Sequence, residues 1–280
     1  MTETKTEFVS LCSDTTFKYL LKEEDTRKWV FDIIKRKTGI DLNYYQIIDN
    51  ESNAGNHIKD YRMDLVFEKG NTIVIVEMTN SDKEADYIKN YQYLYRIEAR
   101  RFTSGEKYSR KRTILILFNQ FRNHQNKNLL DAHFTLNDPI NHLLIEDIES
   151  YEIYLPNYEK TCYDKYDEIE RRLVLFNARS FEEMEDITKD FFDLKIIKEL
   201  RDLSMDEVFL TEYEKEKVQE KLVNSAFQEG INKGREQGIE QGAKREKIEI
   251  VKSMLANSID IKVISACTGL TIEEINHFSV

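Results

Sequence analysis

Two short apolar runs lie between Arg62 and Thr79, RMDLVFEKGNTIVIVEMT, with a Gly-Asn pair between them. Both are rich in residues that favour strands, and Gly-Asn is a two-residue hairpin connection. Gly70 suits the first central position of a type II′ turn, with Asn71 second. That turn predicts Lys69 opposite Thr72 and, counting back, Asp64 opposite Glu77. Facing residues share one side of a sheet, with Cβ atoms about 4.5–5.5 Å apart. Two carboxylates are thus expected side by side in an otherwise apolar hairpin.

The rest of the chain can be read around this hairpin. Asp14 to Lys37 carries apolar residues at helical spacing, with Asp14 as N-cap, a break at Glu23 to Asp25, and Gly39 as the C-terminal stop. Tyr44 to Ile48 reads as a first strand. After the hairpin, Ser81 and Asp82 can cap a helix. Its stripe of Tyr87, Tyr91, Leu94, Tyr95 and Phe102 fits packing on a sheet better than base stacking. Thr113 to Phe118, TILILF, is a buried strand, and Tyr151 to Leu155 is another before Pro156.

From Tyr163 onward the pattern is helical: Tyr163 to Phe176, Asp186 to Leu203, and a long charged helix from Glu212 to Ala256. In that helix Gly230, Gly234, Gly238 and Gly242 recur every four residues. Each costs a helix about 1 kcal/mol against Ala, so the stripe implies either close approach of another helix or flexibility. The end reads as two short helices joined at Gly269. Ile261, Val263, Ile264 and Leu270 are their expected core, and Thr271 with Glu274 forms a capping box. The organisation expected is a core over residues 1–158, a helical extension over 159–210, and the long helix with its terminal hairpin over 211–280.

Composition narrows the classes. The chain has 280 residues and a formal net charge of −11, with charged residues making up 33%. No apolar run approaches the roughly 20 residues that span a bilayer, and the N-terminus lacks a signal-type apolar stretch. A soluble, cytoplasmic protein with no membrane partner is expected. Cys12, Cys162 and Cys267 form no CxxC pair, and HExxH, GxSxG, P-loop and GxGxxG motifs are missing. Against the acidic balance, Arg96, Arg100, Arg101, Lys107, Arg110, Lys111 and Arg112 outnumber Glu98 and Glu106 in one segment. Such an excess can follow a phosphate backbone, or it can be a solvated helix face and loop.

The paired carboxylates carry the chemistry. Like charges opposite each other destabilise a sheet, whereas a hard cation such as Mg²⁺ takes carboxylate oxygens and removes the repulsion. A solvent-facing strand would also tolerate the pair.

An α-β-β-β-α-β order, with Asp on the second strand and Glu on the third, resembles the plan of the PD-(D/E)XK nuclease superfamily. The closer likeness is to the Rpn-type recombination-promoting nucleases, or PD-(D/E)XK family transposases. It rests on DTTFKYLL (Asp14 to Leu21), on RMDLVFEKGNTIVIVEMT, and on the GEKY turn from Gly105. It rests also on the tail GINKGREQGIEQGAKREKIEIVKSMLANSIDIKVISACTGLTIEEI.

The resemblance implies an α/β, restriction-endonuclease-like core with a mixed sheet, followed by an α-helical C-terminal region. It implies an endonuclease that hydrolyses DNA phosphodiesters with Mg²⁺, or Mn²⁺ in its place. Asp64 and Glu77 would hold the metal, with a main-chain carbonyl near Met78. The superfamily usually has Lys two residues after the Glu, and this family often Gln; here the position is Thr79. Lys89 could supply the missing charge, or simply be exposed. Arg96, Arg100, Arg101, Arg110, Lys111 and Arg112 are the candidate DNA contacts. Self-association through the C-terminal helices is the other expected partnership. The alternative is a catalytically inactive nuclease fold that binds DNA or oligomerises.

Overall fold

The computed structural model of the chain describes residues 7–48, 65–79, 91, 92, 94, 112–122, 127–137 and 144–278. The chain divides into two compact units, Met1–Glu216 and Lys217–Val280.

The first unit is α/β, and it opens with α1 (Asp14–Lys22) and α2 (Glu24–Thr38). Ser13, not Asp14, is the N-cap, its hydroxyl accepting from the Thr16 N–H at 3.0 Å. Asp14 is the first helical residue instead. Its N–H and that of Thr15 donate to the two oxygens of Glu216, at 2.8 and 3.0 Å, and its carboxylate pairs with Lys18. Glu216, distant in sequence, thus takes N–H groups that α1 leaves open. Extended backbone at Glu23 separates the helices, and Gly39 ends α2 at φ +75°, where a side chain would be strained.

Six strands follow: β1 (Gln46–Ile48), β2 (Leu65–Lys69), β3 (Thr72–Thr79), β4 (Arg112–Asn119), β5 (Asp131–Asn137) and β6 (Leu144–Tyr154). The mixed sheet has the order β1-β2-β3-β4-β6-β5, with β3, β4 and β6 mutually parallel and the remaining pairs antiparallel. The β2–β3 register is the expected one, from Lys69 opposite Thr72 to Leu65 opposite Val76. Gly70 has φ +58°, and Ser258 is the only described non-glycine residue with positive φ. A type I′ turn needs positive φ at both central residues, so the turn is II′.

Strand alternation gives the sheet two covered faces. On the first, Val74, Val76, Met78, Ile114, Ile116 and Phe118 pack beneath α1 and α2. Phe118 sits 5.0 Å from the Phe17 ring and 6.0 Å from Phe176. On the second, Val66, Ile73, Ile75, Leu115 and Leu117 pack with Leu94, and Tyr91 lies against them. Tyr91 and Leu94 thus do what the tyrosine stripe predicted of them. Burial on both faces is why β4 reads as an unbroken apolar run.

After the sheet this unit has α3 (Glu168–Leu175), α4 (Phe181–Ile187), α5 (Phe191–Leu203) and the start of α6 (Glu207–Ala256). Leu173, Phe176, Met184, Ile197, Leu200 and Tyr213 join the first-face core. Two expected helices are shorter or divided. A 3₁₀ segment, Lys160–Lys165, replaces the start of the first, and an Asp167–Glu170 capping box opens α3. The second is split because the Asp190 side chain accepts from the Phe192 and Asp193 N–H groups, which starts a new helix.

In the second unit α6 continues and is followed by α7 (Ile261–Thr268) and α8 (Ile272–His277). Gly269 is left-handed at φ +69°, and Thr271 and Glu274 form the expected capping box. The small core differs from expectation. Val251, Ile264 and Ile275 fill it, Ile261 and Leu270 flank it, and Val263 is 49% exposed. One turn of α6 supplies the apolar surface that the hairpin alone lacks. A Cβ added at any of the four spaced glycines of α6 would meet no atom within 4 Å. Among the described residues no helix is long and apolar enough to cross a membrane.

The cysteines differ in burial. Cys12 is buried and its Sγ donates to the Phe176 carbonyl at 3.2 Å, whereas Cys267 is exposed. Burial pushes the Cys12 thiol up to about 12, against a smaller opposing effect of Ser10. Only a thiolate alkylates readily. Iodoacetamide at mildly alkaline pH should label Cys267 in the folded chain and reach Cys12 only after unfolding, as read by peptide mass spectrometry. Early labelling of Cys12 would contradict this packing.

Candidate functional site

The second face of the sheet changes character along its length. Toward the carboxyl ends of the parallel strands the apolar cluster gives way to polar side chains. Glu77, Leu117 and Glu152 are aligned across β3, β4 and β6, and Thr79, Asn119 and Tyr154 form the next row. All six are buried. In open α/β sheets, the carboxyl ends of parallel strands are where ligands are bound.

Glu152 accepts three hydrogen bonds there. Tyr154 donates to its Oε2 at 2.9 Å, Asn119 Nδ2 to the same oxygen at 3.1 Å, and Tyr91 to Oε1 at 3.2 Å. The Tyr91 hydroxyl also shares a hydrogen bond with Ser150 at 2.9 Å. Burial first, and then the charge of Glu152, hold the Tyr154 phenol well above its ordinary value, so it stays a donor. The Oδ1 of Asn119 is buried without a hydrogen-bond partner among the described residues.

Of the residues expected to form the site, Glu77 and Thr79 lie on this polar end, both buried and both with interaction partners. Asp64, Lys89, Arg96, Arg100, Arg101, Arg110 and Lys111 lie outside the described residues. Arg112 is described, at the start of β4 and on the opposite face. Its guanidinium pairs with Glu149, whose other oxygen is 2.8 Å from His133 Nε2 and accepts from the Tyr151 hydroxyl at 3.2 Å. The His133 ring stacks on Tyr151 at 4.0 Å. Burial, followed by the Glu149 charge, pushes the Tyr151 phenol up to about 12. Arg112 therefore already neutralises a buried acid, and contact with a phosphate would have to share or break that pair.

Glu152, Asn119 and Tyr154 are not among the residues the sequence singles out. The available signal was weak: Ser150, Glu152 and Tyr154 alternate with Tyr151 and Ile153, and Asn119 ends the TILILF run. Only the strand order reveals that these positions lie on the same face and at the same end of the sheet as Glu77. Among the described residues no three His, Cys, Asp or Glu side chains are grouped to hold a metal ion. No family model, no curated protein and no solved structure matches this chain.

Proposed function

We propose that this protein is a metal-dependent DNA endonuclease of the PD-(D/E)XK transposase or recombination-promoting type. The observation that carries the reading is the β2–β3 register. Leu65 lies opposite Val76, which is the register from which the sequence expects Asp64, outside the described residues, to pair with the buried Glu77. Two neighbouring acids repel each other, and a hard divalent cation bound between them relieves that repulsion.

The side chains at this end of the sheet suit a hard cation. Glu77, Thr79 and Asn119 present oxygen atoms, and the Asn119 Oδ1 is an acceptor in want of a partner. Asp64 and Glu77 would hold Mg²⁺ or Mn²⁺, which when bound polarises a phosphate oxygen and lowers the pKa of a water. Thr79, where the superfamily carries Lys, can hydrogen-bond a water but supplies neither positive charge nor a base of useful strength. Lys89 is the proposed source of that charge, and the Arg96 to Arg112 segment the proposed phosphate contact.

The buried Thr79 also favours a second reading: an inactive nuclease fold that binds DNA or assembles through its C-terminal helices. One assay separates them. Supercoiled plasmid is incubated with wild type and Asp64→Ala in Mg²⁺ and in Mn²⁺. Nicking by wild type that vanishes in the variant supports the enzyme. Salt-sensitive DNA binding without nicking, equal in both proteins, supports the binding module. Nicking that persists in Asp64→Ala refutes the metal pair.

A further inference from the structure

The carboxyl ends of β4 and β6 also border a cleft of about 410 Å³. Arg122 lies just beyond β4, and Pro156, Glu159 and Lys160 follow β6. Its apolar lining includes Val174 of α3 and Ile187 of α4, both part of the first-face core. The cleft therefore lies on the side of the sheet away from Glu77 and Glu152. Its volume is that of a small-ligand site, for which about 300–1,000 Å³ is usual.

The walls are tied together. Asn177 Nδ2 donates to the Leu155 carbonyl at 2.8 Å and to the Tyr158 carbonyl at 3.0 Å. Arg122 Nη2 donates to the Pro156 carbonyl and to Glu159 at 2.8 Å. The segment after β6 is thus held from two directions.

Charge sets this cleft apart in a chain of net charge −11. Arg36, Lys37, Arg172 and Arg201 of the same unit are each paired with a carboxylate. Lys160 and Arg179, which line the cleft, have no carboxylate partner among the described residues. Both bonds of Arg122 leave from Nη2, so its Nε and Nη1 donors are uncommitted. Glu183, the second acid of the lining, accepts from the Arg179 backbone N–H at 2.8 Å.

We propose that this cleft binds a small phosphate monoester, its phosphoryl group held by Lys160, Arg179 and the uncommitted donors of Arg122. A phosphate monoester carries a charge of about −1.5 to −2 at neutral pH, which matches two unpaired cations. Guanidinium groups take phosphate oxygens two at a time. A nucleic-acid backbone suits the cleft less well, because its phosphates are singly charged and follow one another past Glu159 and Glu183. The volume beside Val174 and Ile187 accommodates an organic body. The proposal uses no residue of the nuclease reading and does not rest on it.

Phenyl phosphate is the probe, titrated against the full-length chain and followed by its ³¹P line. Saturable binding is expected, with diphenyl phosphate, a singly charged diester, binding more weakly. Lys160→Ala and Arg179→Ala should each weaken it about 10–100-fold, as the loss of a charge-assisted hydrogen bond does. Both side chains are exposed, so both variants should melt as wild type does. Lys198→Ala removes an exposed lysine of α5 outside the cleft and should change nothing. The proposal is overturned by the lack of saturable binding, by equal binding of the diester, by undiminished binding in Lys160→Ala and Arg179→Ala, or by an equal loss in Lys198→Ala. A DNA duplex that displaces phenyl phosphate at matched phosphate concentration also overturns it and makes the cleft a backbone contact. Plasmid nicking decides the nuclease reading separately, and either result can fail without the other.

Discussion

Glu77→Gln is expected to lower metal-dependent plasmid nicking by more than about 100-fold while leaving the chain folded. Losing a mere outer hydrogen-bond partner of a metal ligand costs roughly 10–100-fold, and under the proposed function Glu77 is a ligand itself. Gln keeps the volume and one oxygen acceptor, so the strand needs no repacking around it. Glu77 stands between Val76 and Met78, both of which pack into the opposite face, so backbone placement does not depend on its charge. Initial nicking rates in Mg²⁺ and a thermal melt of both proteins make the test. A variant with more than about a tenth of wild-type activity would remove Glu77 from the ligand set.

Arg172→Ala should destabilise the first unit by about 3–5 kcal/mol, the range for breaking a buried ion pair. Arg172 Nε lies 3.3 Å from Asp193 Oδ1, and its Nη1 donates to Asp32 at 3.1 Å and to the Trp29 carbonyl at 3.4 Å. Asp193 also accepts from Trp29 Nε1 and from the Thr188 hydroxyl, both at 2.8 Å. The network ties α2, α3 and α5 together, and the truncation would leave its carboxylate buried with neutral donors. Urea unfolding midpoints would measure the loss. Against a typical total of about 5–15 kcal/mol it is a large fraction. Combining Arg172→Met with Asp193→Leu should recover part of it, through a coupling of about 1–3 kcal/mol. Additive losses would show that the pair is not coupled.

The same variant has a pH signature. Burial holds the Asp193 carboxyl above its ordinary value, outweighing Trp29, Thr188 and Arg172. A raised folded-state pKa contributes stability that is fully present below the unfolded value and is lost as pH rises through the folded one. Removing Arg172 raises that carboxyl further. The deficit of Arg172→Ala should therefore be larger near neutral pH than in mild acid.

Much of the local structure was legible before any coordinates. Gly39 and Gly269 stop helices because left-handed backbone suits glycine, and Thr271 with Glu274 is a cap whose partners lie three residues apart. Gly70 and Asn71 determined the turn, and with it the pairing of every residue back to Leu65. Other features were illegible for a stated reason. β5, DAHFTLN, is an edge strand with polar residues among its apolar ones, so it offers no apolar run. Ser13, not the adjacent Asp14, caps α1, and the Asp14 N–H is taken instead by Glu216 from the far end of the unit, a contact that no local pattern announces.

The candidate site divides in the same way. Glu77 stood out because its hairpin is short-range, and a two-residue turn leaves the register no freedom. Glu152 and Asn119 did not, because β4 and β6 are parallel to β3 and parallel strands are joined by long crossovers. Spacing along the chain carries no information about which strand a crossover returns to. That choice is made by burial of both sheet faces. It brings β6 against β4, and with it a buried carboxylate that the amino-acid sequence presents only as one glutamate among many.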